Sequence, residues 1–206
     1  YHFYSGEHHA SVLALQRAYD WVLTHRDQLF PVHASRYVDV VRGVVSAQLE
    51  QIGPDAWRIT RNGACRTVRF DDGSLYPDLA RSSGLLGYRH HNGSLYVSLD
   101  AGDEHVIRLT DTPPEEPYLV RASADVLNPA WTADGGIRFS SAALDSATFV
   151  FANMAPSSSF LVSVAAAADS SVTEAGTSAD GRLRLALPLR GAARIQVKPR
   201  DAEAGS

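Results

Sequence analysis

Near Gly43 the spacing of apolar residues changes from the 3.6-residue period of a helix to the two-residue alternation of a strand, and it does not change back. Before that point Val12, Leu15, Tyr19 and Val22, with Leu23 beside them, mark one face of a helix over residues 11–26. Ser11 suits its N-cap, and His25 and Arg26 fall in its last turn, where cations favour the helix dipole. Residues 29–33 read as a short buried strand, and Ser35 can cap a second helix through Tyr37, Val38 and Val41 to about Arg42. Strand end, helix, strand, helix is the alternation of an α/β architecture.

Past Gly43, residues 47–52 alternate, Gly53-Pro54-Asp55 forms a turn cluster, and residues 57–60 run back. Asn62-Gly63 is a hairpin signal leading into a strand over 64–70, and Asn92-Gly93 joins strands at 85–89 and 95–99. Further strands are expected at 105–109, 118–124, 136–140, 148–152, 160–166, 182–187 and 193–198. Regular short strands with Gly, Asn, Asp and Pro between them indicate an antiparallel β-sandwich or barrel. The expected fold class is therefore α+β, with an α/β segment over residues 1–43 and a β-sandwich domain over 44–206. The polar tail from Pro199 is expected to fray.

Composition excludes some classes of function. The 19 basic residues are arginines apart from Lys198 and are scattered along a chain of net charge −4, so there is no electrostatic footprint for nucleic acid. No apolar run approaches the roughly 20 residues of a membrane span. Cys65 is the only cysteine, so no internal disulfide can form.

His2 is the foremost candidate for chemistry. It sits among Tyr1, Phe3 and Tyr4 at a strand end, before the turn at Ser5-Gly6. Such an imidazole is either packed in the core or placed to donate a proton to a leaving group, with a pKa of about 6.5 that keeps both forms accessible. A chain opening in mid-element, without an initiator methionine, leads to the expectation of the last part of a larger enzyme.

The other candidates have simpler readings. His8 and His9 lack the i, i+4 spacing of a metal pair and read as solvated. His33 ends the second short strand on the face expected for His2, and packing is favoured there too. His90 and His91 are adjacent on a strand and point to opposite faces, so they do not share a metal. Phe70-Asp71-Asp72-Gly73 copies the run that opens the active site of NodB-type polysaccharide deacetylases, but no His-x-x-x-His pair follows, and an Asp-Gly turn after a strand accounts for it. Asn92-Gly93-Ser94 fits a glycosylation sequon at a hairpin tip. Glu115 and Glu116 read as solvated, and Cys65 as a mid-strand residue without a base. Tyr88, Tyr96, Trp57 and Trp131 either fill the core or form a sugar-stacking face.

One resemblance rests on the order of several motifs. His2-Phe3-Tyr4-Ser5-Gly6, Ala10-Ser11-Val12-Leu13-Ala14-Leu15, Tyr19-Asp20-Trp21 and Pro31-Val32-His33-Ala34-Ser35-Arg36-Tyr37 follow one another. Together they resemble the end of the deacetylase domain of PelA-like proteins, hydrolases and deacetylases of the Pel biofilm exopolysaccharide within the divergent NodB-type family. The likeness continues more weakly through Trp57-Arg58-Ile59, Thr67-Val68-Arg69, Pro77-Asp78-Leu79-Ala80 and Gly84-Leu85-Leu86-Gly87-Tyr88, and thins out after about Ala124. It implies a (β/α) deacetylase barrel ending within residues 1–43, with an accessory β-sandwich after it. In such enzymes an aspartate and two histidines hold a divalent metal, usually zinc, and a carboxylate takes the proton of the attacking water. A histidine near the last barrel strand protonates the departing amine. Only that last role maps onto this chain, at His2, with the metal ligands expected upstream. The resemblance also implies a polysaccharide substrate, a partner in the export machinery and a periplasmic or extracellular location.

Two other readings belong to different classes. The β-region could be a carbohydrate-binding or structural module, which would expose coplanar aromatics. It could equally be the sandwich that ends a glycoside hydrolase, in which case a catalytic carboxylate is needed near His2 and Glu7 is the only nearby candidate.

Overall fold

The computed structural model describes residues 8–24, 34–143, 145–167 and 169–200, with the side chains of 8–11 and 23 left aside. It places two helices, α1 (His8–Thr24) and α2 (Ala34–Ser46), ahead of a region that is almost entirely antiparallel β-sheet. The chain divides into two compact units, 1–37 and 38–206. Expectations for His2, Glu7, His25, Arg26, His33 and the strand at 29–33 lie outside the described residues, as does the tail from 201.

Both helices are longer than their sequence pattern indicates. α1 begins at His8, so Ser11 lies inside the helix instead of capping it. α2 likewise takes in Ser35 and continues past Gly43 to Ser46. For α2 the reason lies in tertiary contact. A side chain at position 43 would meet the Asn62 carbonyl oxygen at 2.2 Å, so only glycine lets this turn of helix lie against the loop at 62–65. Ser46 Oγ then donates to the Arg61 carbonyl at 2.8 Å. These contacts fix the last turn of α2 to the β-region.

The first seven strands are β1 (Gln48–Gly53), β2 (Ala56–Thr60), β3 (Thr67–Phe70), β4 (Tyr76–Pro77), β5 (Leu85–His91), β6 (Ser94–Leu99) and β7 (Glu104–Thr110). They form sheets of order β1-β2-β7-β4 and β3-β6-β5 around a core of Ile59, Tyr88, Leu95, Val97, Leu99 and Ile107. The next eight are β8 (Tyr118–Ala122), β9 (Leu127–Trp131), β10 (Ile137–Ala143), β11 (Ser146–Ala152), β12 (Ser159–Ala166), β13 (Ser170–Gly176), β14 (Leu183–Pro188) and β15 (Gly191–Pro199). Here a five-stranded sheet, β13-β12-β15-β10-β9, and a three-stranded one, β14-β11-β8, share a larger core. The strict alternation of β14, with Leu183, Leu185 and Leu187 buried and the residues between them exposed, is the pattern of a strand covered on one face. This antiparallel arrangement is compatible with a β-sandwich.

The two Asn-Gly pairs separate in the structure. Asn92 and Gly93 both adopt positive φ and turn β5 into β6 as a tight hairpin. Asn62-Gly63 is not a hairpin, because β2 pairs with β1 and β7 while β3 pairs with β6. Asn62 is instead buried beneath α2, its Nδ2 donating to the Cys65 carbonyl at 2.8 Å while its own carbonyl accepts from the Cys65 N–H. Cys65 therefore belongs to a turn ahead of β3, not to the middle of a strand. Pro199 remains within β15, and Arg200 continues the order by pairing with Glu174 at 2.6 Å.

β8 is shared between the two cores. Tyr118 stacks on Tyr88 of the first core at 4.5 Å between ring centroids, while its neighbour Leu119 is buried in the second. Gly87 permits this approach, since a Cβ there would lie 2.2 Å from the Leu119 carbonyl oxygen.

Candidate functional site

The histidines and aspartates singled out in the sequence do not converge among the described residues. His8 and His9 occupy the first turn of α1. On β5, His90 donates from Nε2 to the Leu75 carbonyl at 2.8 Å, with its ring edge-on to Tyr76 and Tyr88. His91 points to the other face of the sheet, near Tyr96. Asp72 accepts from both the N–H and the hydroxyl of Ser74, which holds its carboxyl below the ordinary range, and Asp71 pairs with Arg69 at 2.7 Å. These are turn and surface contacts. Glu115 and Glu116 are exposed. Among the described residues no three His, Cys, Asp or Glu side chains are grouped to hold a metal ion, so no metal-dependent step is derived from them. No described helix is long and apolar enough to cross a membrane.

The aromatic residues divide more informatively. Tyr88 is buried, and desolvation, with a hydrogen bond to Tyr118, pushes its phenol well above the ordinary range. Trp57 packs on the first core against Phe70. Tyr96 sits on the outer face of β6, opposite Arg69 on one side and Arg89 on the other. Trp131, at the end of edge strand β9, is 38% exposed. Its ring stands edge-on to Phe151 of the second core. No coplanar platform results.

One cleft, of about 110 Å³, lies between the walls of the two β-cores. Gly84, Leu85 and Asp100 line one side; Pro129, Trp131 and Phe151 line the other. Asp100 directly follows β6, and its carboxylate is set in place rather than left to swing. Oδ1 accepts from the Gly102 N–H at 2.8 Å and faces Nε2 of His105 at 3.1 Å. Arg66 clamps the same loop by donating to the carbonyls of Asp100 and Gly102. Gly84, at φ +74°, leaves room for the imidazole, because a Cβ there would lie 2.5 Å from His105 Cδ2.

His105 is fully buried, and its Nδ1 has no partner among the described residues. The bond to Asp100 places the proton on Nε2, since a carboxylate only accepts. The pair thus presents a carboxylate whose Oδ1 is occupied and whose Oδ2 takes no hydrogen bond among the described residues, at the edge of a cleft of mixed polar and apolar surface with an indole opposite. Sequence reading did not find this pair. The one signal for it is an aspartate and a histidine flanking the β6–β7 turn, five residues apart across Gly102.

No protein-family model matches the chain, and no curated protein matches it at a significant level.

Proposed function

We propose that this chain is the C-terminal portion of a metal-dependent polysaccharide deacetylase of the NodB type, acting on an N-acetylated exopolysaccharide in a biofilm matrix outside the cytoplasm. Residues 1–43 complete the (β/α) catalytic barrel and the β-region is its accessory domain. The observation that carries the reading is the apolar surface of the helices. Val12, Leu15 and Tyr19, the face of α1 that the sequence marks for burial, are all exposed, and so are Tyr37, Val41, Val44 and Val45 on α2. A helix with this pattern belongs against a larger apolar body. The tucked-in positions of Tyr88 and Trp57 favour an accessory domain over a flat sugar-binding platform.

In this reading His2 protonates the departing amine, which is a very poor leaving group as an amide anion. The divalent metal, zinc by family resemblance, is held by residues upstream, and an export-machinery protein is the expected partner. The test is metal-dependent acetate release from N-acetylated polysaccharide by the product of the upstream-extended gene, alongside its His2→Ala variant. Release that collapses in a folded variant supports the assignment. Release indifferent to His2 demotes that residue to packing, and no release at all overturns the deacetylase.

A further inference from the structure

We propose that the cleft between Asp100 and Trp131 binds a sugar bearing a free amine, with the ammonium on Asp100 Oδ2 and the ring against the exposed part of the indole. The choice of an aminosugar rests on the deacetylase reading, because deacetylation creates that amine; the site itself lies in the β-region, away from His2 in sequence.

Three features of the cleft select this chemistry. The first is charge. His105 is fully buried and holds Asp100 Oδ1 by one hydrogen bond from Nε2, which leaves Oδ2 as the open acceptor of the carboxylate. The described residues place no arginine or lysine in ion-pair contact with Asp100, and Arg66 donates from Nη1 to the backbone carbonyls of Asp100 and Gly102. A carboxylate fixed this way is complementary to a cationic donor. The second is the opposite wall. Trp131 offers an aromatic surface at which a sugar's apolar C–H face packs and at which a nearby cation is attracted. The third is size. About 110 Å³ admits the amine and the neighbouring ring atoms of one residue, and not a polymer strand lying flat. The cleft therefore reads single glucosamine-like units, and an N-acetyl group would remove the charge and add bulk where Asp100 stands.

Preorganisation supports the assignment. The Gly102 N–H, the buried imidazole and the Arg66 clamp hold the carboxylate before any ligand arrives, which lowers the ordering cost of binding.

The experiment is calorimetric titration of the 206-residue chain with glucosamine, N-acetylglucosamine and glucose hexamers. It is run at about pH 6, below the ~7.7 of an ordinary α-amine, so that the sugar amines are charged. The glucosamine hexamer is expected to bind at least tenfold more tightly than the other two, with affinity falling as salt rises. Asp100→Asn keeps an oxygen acceptor for Gly102 and His105, and Trp131→Ala leaves the Asp100 loop untouched. Each is expected to weaken binding at least tenfold; Asp100→Asn should melt close to the parent, and Trp131→Ala, which also loses the edge contact with Phe151, should melt lower but cooperatively. In the parent chain a Trp131 indole N–H resonance that shifts on titration, and stays still in Asp100→Asn, localises the event to the cleft. Equal affinity for the three hexamers, binding unchanged in both folded variants, or no binding of the glucosamine hexamer overturns the proposal. Because the readout involves no catalysis, loss of this site and failure of the deacetylase reading are separate results.

Discussion

The helices and the sheets use the same kind of residue in opposite ways. In the β-region most large apolar side chains are buried: Phe149 and Phe151 on β11 are fully covered, and Phe139 stands edge-on to Phe149 at 4.9 Å. In α1 and α2, Leu15, Trp21, Val41 and Val45 face outward. The β-region encloses two apolar cores of its own, and the helices enclose none among the described residues. Stability and apolar association therefore belong to different parts of one chain.

The sharpest separation comes from paired truncations. Phe149→Ala should cost about 3–5 kcal/mol, since it empties a fully buried site, as read by denaturant unfolding. Tyr19→Ala, at a side chain 62% exposed, should stay within about 0.5 kcal/mol. A large loss at Tyr19 would mean that α1 is packed as the β-region is, and would break the contrast. Gly43→Val tests where the two behaviours meet: its side chain collides with the Asn62 carbonyl, and a cost of about 1–3 kcal/mol is expected from overpacking.

Trimming tests the same seam from outside. A chain beginning at Val38 keeps Gly43 and Ser46 on the β-region and should melt within about 2 °C of the parent while binding less of a hydrophobic dye. One beginning at Gln48 loses both contacts and should melt lower, by about 2–4 °C for each kcal/mol they contribute. Equal melting of the two would place no weight on the end of α2.

The smallest effect is electrostatic. The hydrogen bond from Arg200, then that from Ser159, holds Glu174 below the ordinary carboxylate range. A carboxyl with a lowered folded pKa contributes stability above its unfolded pKa and loses it as pH falls through the folded one. Acid titration of stability below about pH 4 should therefore be slightly shallower in Arg200→Ala than in the parent. The pair is exposed, so the difference will be slight, and identical acid limbs would assign it no role.

Local signals in the sequence located most strands, because alternation survives wherever one face is covered, as in β14 or β6. They failed where long-range contact decided the outcome. Asn92-Gly93 turns as its local chemistry directs, whereas Asn62-Gly63 is diverted by α2 lying on it. β9 was hidden by Pro129 and by Asn128 at positive φ, both tolerated because the strand is at an edge and its register shifts there. β13, exposed along nearly its whole length, carries no apolar alternation to find. The Asp100–His105 pair is invisible for a related reason: what makes it notable is the burial of His105 behind Gly84, which no spacing records.

The placement of β8 also governs how the β-region comes apart. One residue, Tyr118, is lost if the first core opens, and the next, Leu119, if the second does. Gly87 seats the two backbones too closely for either to move alone. The β-region should accordingly melt in a single calorimetric transition, its van't Hoff and calorimetric enthalpies equal. A cut in the linker ahead of Tyr118 would leave the first half without that wall, and this half should refold fully only when mixed with the other.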